Sequence, residues 1–294
     1  MKNLIVYHAN CADGFTAAWA AWKALGGEEN GTEFRPYYHD WDPPKDAAEF
    51  NNIYILDFSF SAGALAGLAE QVKEKVVLLD HHKSAQADLQ EVAEDMPPNL
   101  VIIFNMEKSG AMLAWEHFHP GTPPPALVEY IQDRDLWRWE LPQSEEISTV
   151  IQTLEFEFHI WDRMHELLKE PMSFAATVGE GKAMQKYRDA LIKRICAKPG
   201  FTRIEGHLVP CVNAPNWQSE IGNALAKDHY FAVMWFMNKS GNFIYSLRSD
   251  KDRADEVADV SLIAKALGGG GHRHAAGFRA SAPPMMFDPP EEKA

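Results

Sequence analysis

Short apolar runs that alternate with helical stretches predict an α/β protein: a parallel-sheet first domain, a helical connector and a smaller α/β second domain. Three observations carry this reading. Four flat, β-branched runs punctuate the first 104 residues, helix-forming segments separate them, and a long helical stretch comes after residue 143 before strands return. The expected boundaries are 1–142, 143–198 for the connector and 199–282 for the second domain. The remaining 283–294, rich in prolines and acids, is expected to be a disordered tail.

In order, the runs are NLIVY at 3–7, IYIL at 53–56, VVLL at 76–79 and LVIIF at 100–104. None alternates with polar residues, the pattern of strands buried on both faces. FTAAWAAWKALG comes after the first run, SAGALAGLAEQVKEK after the second, and SGAMLAWEHF after the fourth, with Ser109 placed to cap its helix. A proline-rich loop then enters a helix near Ala126 that closes with Asp133 and Asp135. SEEISTVIQTL, FHIWDRMHELLKE and GKAMQKYRDALIKRICAK supply the connector. The second domain reads as HLVPCVNAP, the helix QSEIGNALAKD, strands YFAVMWFM and FIYSLRS about a KSGN turn, then VSLIAKAL, GGGG and HRHAAGF.

The 294 residues suit two domains. With 28 basic against 42 acidic residues the net charge is −14. That argues against coating a long nucleic acid by neutralising phosphates, and no long duplex is expected as a partner. A small anion can still be gripped through a divalent cation or a local basic pocket. Cys11, Cys196 and Cys211 are too few and scattered for a disulfide framework, so a reducing compartment is expected. MKNLIVYH runs at once into polar residues, unlike a signal peptide, and no apolar stretch approaches the ~20 residues of a membrane span. A cytoplasmic location, with no membrane partner, is the expectation.

The residues at the strand ends point to chemistry. The first run ends in His8, the second in Asp57, the third in Asp80-His81-His82 and the fourth in Asn105. Ligands of parallel sheets bind beyond the carboxyl ends of the strands, so these groups gather at one rim. Singly, each has a plain structural explanation: Asp13-Gly14 as a turn or cap, Asp57 as a helix cap, His8 as a hydrogen-bonded core residue. Two consecutive imidazoles at a buried strand end are harder to explain, because they are costly to desolvate without partners. His8, Asp13, Asp57 and His81, with Asp133 from the later helix, suit a pair of divalent cations, and Asp57 has two oxygens with which to bridge them.

HANCADG, LDFS, LDHH, IQDRDLW and GGGGHRHAAGF, spread in that order over residues 3–280, resemble the DHH phosphoesterase family with its DHH-associated C-terminal domain, which includes nano-RNase and RecJ-like phosphodiesterases. The resemblance implies metal ligands at His8, Asp13, Asp57, His81 and Asp133, binding Mn2+ in a pair, with Mg2+ or Zn2+ as alternatives. It implies that Asp80 orients an imidazole and that His82 faces the scissile phosphate. In the second domain it implies substrate contacts at Gly269, Gly270, Gly271 and His272, with Arg248 as a phosphate clamp. Asp135 competes with Asp133; the spacing from Ile131 to Trp137 favours Asp133. One position departs from the family: Cys11 stands where the first aspartate of a DxD pair is usual. A thiolate there softens one metal position, and a neutral thiol leaves it short of charge.

The implied activity is metal-dependent hydrolysis of phosphoester bonds in short oligonucleotides or small nucleotides, with oligoribonucleotides trimmed one nucleotide at a time. Single-stranded DNA exonuclease action, or low-turnover sensing of a cyclic dinucleotide, are the alternatives.

Overall fold

A computed structural model describes residues 1–38, 41–90, 96–253 and 256–287. The chain divides into two compact units, Met1–Gln185 and Lys186–Ala294.

The first unit runs β1 (Asn3–His8), α1 (Ala12–Leu25), β2 (Thr32–Tyr37), β3 (Asn52–Leu56), α2 (Ala62–Gln71), β4 (Lys75–Asp80), α3 (Lys83–Gln90), β5 (Leu100–Phe104), α4 (Gly110–Phe118), α5 (Ala126–Asp135), α6 (Ser144–Ile151), α7 (Phe158–Lys169) and α8 (Pro171–Cys196), the division between units falling within α8. Its five strands pair in parallel in the order β2-β1-β3-β4-β5. The expected parallel sheet is therefore present.

Side chains alternate across this sheet into two cores, as a two-residue period requires. Ile5, Tyr54, Leu56, Val77 and Leu79 point to one face, packed with Trp19, Ala114 and Trp161. Leu4, Val6, Ile53, Ile55, Val76 and Leu78 point to the other, packed with Phe50, Leu65 and Leu68. β3 is buried throughout and β4 from Val76 to Asp80, as the unbroken apolar runs predict.

Two edges differ from expectation. The apolar run of β5 predicts burial on both faces, but this strand ends the sheet and leaves Val101 and Ile103 exposed. β2, TEFRPY, is not among the four runs; it is the opposite edge, where Pro36 costs no ladder bond because one side has no neighbouring strand. The helices of the expected connector contribute Ile147, Ile151, Trp161, Met164 and Val178 to the first unit's core.

The second unit adds β6 (Gly200–Ile204), β7 (His207–Asn213), α9 (Gln218–Ala226), β8 (Ala232–Met237), β9 (Phe243–Arg248), α10 (Val260–Ala266), β10 (Gly270–His272) and β11 (Ala275–Ala280). Its sheet order is β10-β11-β9-β8-β7-β6, antiparallel except for β7 with β8, the pair that α9 connects. β6 and β7 are joined by Glu205-Gly206, both at positive φ, the conformation that a tight two-residue hairpin requires. Residues 283–287 of the expected tail run beside β6, where Phe287 N donates to Phe201 O and Thr202 Oγ1 to Met285 O. Residues 288–294 lie outside the described residues. Among the described residues no helix is long and apolar enough to cross a membrane.

Candidate metal centre

In a parallel sheet of order 2-1-3-4-5 the connections leave β1 and β3 in opposite directions and open a crevice between their carboxyl ends. The candidate groups gather there. His8 is the last residue of β1, Cys11 occupies the N-cap of α1, and Asp13 sits in that helix's first turn. Asp57 succeeds β3 in the left-handed conformation, φ 62°, which Asp and Asn adopt more readily than other side-chain residues. His81 succeeds β4 and is almost wholly buried.

The two oxygens of Asp57 face different partners. Oδ2 lies 3.4 Å from His8 Nδ1 and accepts from Cys11 Sγ at 3.4 Å. Oδ1 lies 3.1 Å from His81 Nε2, and that nitrogen is also 3.6 Å from Asp13 Oδ2 and 3.5 Å from Asp135 Oδ2. Donor atoms of His8, Cys11 and Asp57 all lie within 4.8 Å of one another, as do those of Asp13, His81 and Asp135. Asp57 thus stands between two groups of potential ligands.

Asp13 is fixed by the start of α4: its Oδ2 accepts from Gly110 N at 2.6 Å and its Oδ1 from Ala111 N at 2.9 Å. Ser109 caps the same helix, as its position suggests, by accepting from Met112 N. Two glycines allow the close packing. A Cβ at Gly14 would stand 2.5 Å from His8 O, and one at Gly110 would stand 2.5 Å from Asp57 Cβ. Neither stands out as functional in the sequence; a glycine opening a helix right behind a serine cap, where better helix formers are available, is the signal in SGA.

The charges explain what the arrangement wants. Burial, then repulsion from Asp57 and Asp135, pushes the Asp13 carboxyl well above its ordinary range. Burial alone would raise Asp57 too, but hydrogen bonds and charge from His8 and His81 outweigh it and hold that carboxyl well below. Burial would depress His81; the carboxylates of Asp135, Asp57 and Asp13 instead lift it to about 10. Burial and the same carboxylates push the Cys11 thiol well above the ordinary thiol range. Three carboxylates crowded around two imidazoles and a thiol form a donor set suited to divalent cations, whose charge would relieve the crowding around Asp13 and whose binding displaces protons from His81 and Cys11.

The structure brings Asp135, not the expected Asp133, to this cluster. Asp133 is buried with its carboxylate turned to the end of α5, where Oδ1 accepts from Glu140 N at 2.9 Å and Oδ2 from Leu141 N at 3.3 Å. The different surroundings predict different variants. Asp133→Ala leaves two N–H groups without their acceptor and should cost about 1–3 kcal/mol in urea unfolding, while Mn2+ affinity stays within a few-fold. Asp135→Ala should weaken Mn2+ binding in calorimetric titration by roughly tenfold or more with a small change in unfolding. The reverse pattern would return the ligand role to Asp133.

Asp80, fully buried, orients His82: its Oδ1 lies 2.7 Å from His82 Nδ1 and accepts from the backbone N–H of His81 at 2.7 Å. Burial lowers the His82 pKa, and the Asp80 carboxylate more than offsets it, so the net shift is upward. Nδ1 is engaged by Asp80, and the His82 side chain keeps 18% of its surface exposed. Asn105 is turned into its own turn and accepts from Glu107 N.

In the second unit, Arg248 stands opposite Ala275 and Ala275 opposite His272, so the three share one face across β9, β11 and β10. Arg248 donates to Ser219 Oγ at 3.1 Å and to Leu247 O at 2.8 Å, and its stem passes close over Gly222 of α9. The glycine run expected as a phosphate loop is partly strand: Gly270 and Gly271 pair with Gly277 and Ala276. Gly269 and Gly271 answer to packing, since a Cβ on either would strike β11.

No family model matches the chain. An uncharacterised protein, R106 of Acanthamoeba polyphaga mimivirus, is 32% identical over 94% of this chain and 67% of its own length. Oligoribonuclease NrnB of Bacillus subtilis is 25% identical over 79% of the chain, which spans 60% of that enzyme. Among solved structures, the DHH domain of a member of the s1p family of ribosomal proteins superposes with a TM-score of 0.57 at 15% identity, covering 97% of this chain and 83% of that one. LDHH supplies an imidazole to the carboxylate cluster and, beside it, the Asp80–His82 pair, on a DHH fold that extends over nearly the whole chain; the protein belongs to the DHH phosphoesterase family.

Proposed function

We propose that this protein is a metal-dependent phosphodiesterase that hydrolyses short oligonucleotides. The observation that carries this is the double engagement of Asp57, one oxygen toward His8 and Cys11 and the other toward His81. Two divalent cations held there would neutralise charge on phosphoryl oxygens and make water a competent nucleophile at neutral pH. On this reading His8, Cys11 and Asp57 hold one ion, and Asp13, His81, Asp135 and Asp57 hold the other, for which Mn2+ is the first choice.

The remaining side chains have distinct tasks. His82, held by Asp80 and shifted toward its protonated form, stands beside the cluster, where it can stabilise phosphoryl charge or protonate a leaving oxygen. A cavity of about 350 Å3 opens next to the same residues, with a wall of Cys11, Asp13, Ile131, Arg134, Asp135 and Phe156. That volume lies at the lower end of small-molecule sites, about 300–1,000 Å3, and favours a nucleotide-sized occupant over a long strand. Arg134 supplies positive charge and Phe156 an aromatic surface in that wall. In the second unit Arg248, with Gly269, Gly270, Gly271 and His272, is assigned to phosphate contact, Arg248 through its fork of N–H donors.

The test is incubation with Mn2+ and, separately, a diribonucleotide, a cyclic dinucleotide, a nucleoside bisphosphate and a short DNA single strand. Mononucleotide release from the diribonucleotide, stopped by chelator and by His81→Ala, is the expected result. Preferred release from DNA would move the assignment to a single-strand exonuclease. Tight binding of a cyclic dinucleotide without product, whatever the ion, would make the protein a sensor.

A further inference from the structure

We propose that the two cation positions are chemically unequal, the one formed by His8, Cys11 and Asp57 taking Zn2+ through the Cys11 sulfur and the one formed by Asp13, His81, Asp135 and Asp57 taking a hard ion such as Mn2+ or Mg2+. It rests on reading these residues as a metal centre. It goes further in assigning Cys11 a ligand role and a selectivity.

The donor atoms divide by softness. One group offers imidazole nitrogen, sulfur and a single carboxylate oxygen; the other offers three carboxylates and one imidazole. Thiolate and imidazole suit Zn2+, whereas carboxylate-rich sets suit Mn2+ and Mg2+. Three protein ligands with a position left open is also the usual make-up of a catalytic Zn2+ site.

The spacing agrees. A tetrahedral Zn2+ with N and O ligands at about 2.0 Å and S at about 2.3 Å holds neighbouring donors roughly 3.3–3.6 Å apart. Cys11 Sγ and His8 Nδ1 each lie 3.4 Å from Asp57 Oδ2. Both separations suit a common ion, and the donor atoms of Cys11 and His8 lie within 4.8 Å of each other. Metal binding replaces the S–H bond by an S–metal bond and gives the proton to solvent, so no oxidant or reductant is needed.

The experiment loads metal-free protein with equal Zn2+ and Mn2+, removes loose ions by dialysis and counts metals by mass spectrometry. One Zn2+ and one Mn2+ per chain are expected. Co2+ loading should give a near-ultraviolet thiolate-to-cobalt charge-transfer band that is lost in both Cys11→Ser and Cys11→Asp. Cys11→Asp should exchange Zn2+ for a second Mn2+, and Cys11→Ser should weaken Zn2+ binding by roughly tenfold or more. Circular dichroism of both variants checks that the fold persists. Two Mn2+ per chain without a thiolate band in the wild-type protein would overturn the inequality and leave the metal centre standing. Uptake of no cation would overturn both.

Discussion

Asp57→Asn is expected to lower metal-dependent turnover on the order of a thousandfold. The substitution is nearly isosteric and suits the backbone, because Asn accepts the left-handed conformation at φ 62° as readily as Asp. What it removes is the charge shared between the two ligand groups, together with one of the two oxygens that face them. The electrostatic stabilisation that metal ions give a phosphoryl transition state amounts to several kcal/mol. At about 1.36 kcal/mol per factor of ten, that converts to roughly three decades of rate. Steady-state kinetics over a Mn2+ titration, with a urea unfolding curve to show that the fold persists, is the measurement. Turnover within tenfold of wild type at saturating Mn2+ would remove Asp57 from the bridging role. A loss recovered simply by raising Mn2+ would assign it to ion affinity alone.

How legible the site is in the sequence depends on what kind of constraint places each residue. β3 and β4 are plain because burial on both faces demands unbroken apolar runs, and the residue after such a run must lie at the sheet's carboxyl rim. That is why His8, Asp57 and His81 can be placed together from the pattern of strands. β2 is not legible: an edge strand has one side without a ladder neighbour, tolerates Pro36, and carries Glu33 and Arg35 bound to each other. α3, whose one large apolar side chain is the buried Leu89, gives no periodic signal either.

Asp133 and Asp135 show a finer limit. Two residues apart on a helix point to nearly opposite sides, so proximity in sequence to the right motif cannot choose between them. The apolar spacing of α5 does choose. Val128 and Ile131 are buried in the first unit's core, and 135 continues their helical row at i+7 and i+4. Asp133 lies off that row, and its oxygens end up serving the N–H groups of the next turn. The direction of the helix face outweighs the match to a motif's letters. In the second unit the glycines are legible as a place of close approach, but not what approaches: at Gly269 and Gly271 it is strand β11.

Gly110→Ala should be nearly as damaging as loss of a ligand, although Gly110 carries no side chain. A Cβ there would stand 2.5 Å from Asp57 Cβ and 2.9 Å from both Asp57 Cγ and Oδ1. The clash meets the base of the Asp57 side chain rather than a flexible end, so either that strand end or the start of α4 must move. If α4 moves, the N–H groups of Gly110 and Ala111 move with it, and Asp13 loses the anchors that hold both its oxygens. If Asp57 moves, both ligand groups lose their common member. Overpacking of this kind costs about 1–3 kcal/mol of stability, and displaced supports of metal ligands cost roughly 10–100-fold in affinity. Gly67→Ala supplies the contrast. Gly67 lies inside α2, and a methyl group added there would meet nothing within 4 Å, so alanine should stabilise by about 0.5–1 kcal/mol and leave Mn2+ affinity unchanged. Calorimetric Mn2+ titration and urea unfolding of the two variants separate the close-approach role from ordinary helix propensity. Wild-type metal affinity in Gly110→Ala would mean that the site tolerates a shift of α4, and that the tight packing against Asp57 is not what positions it.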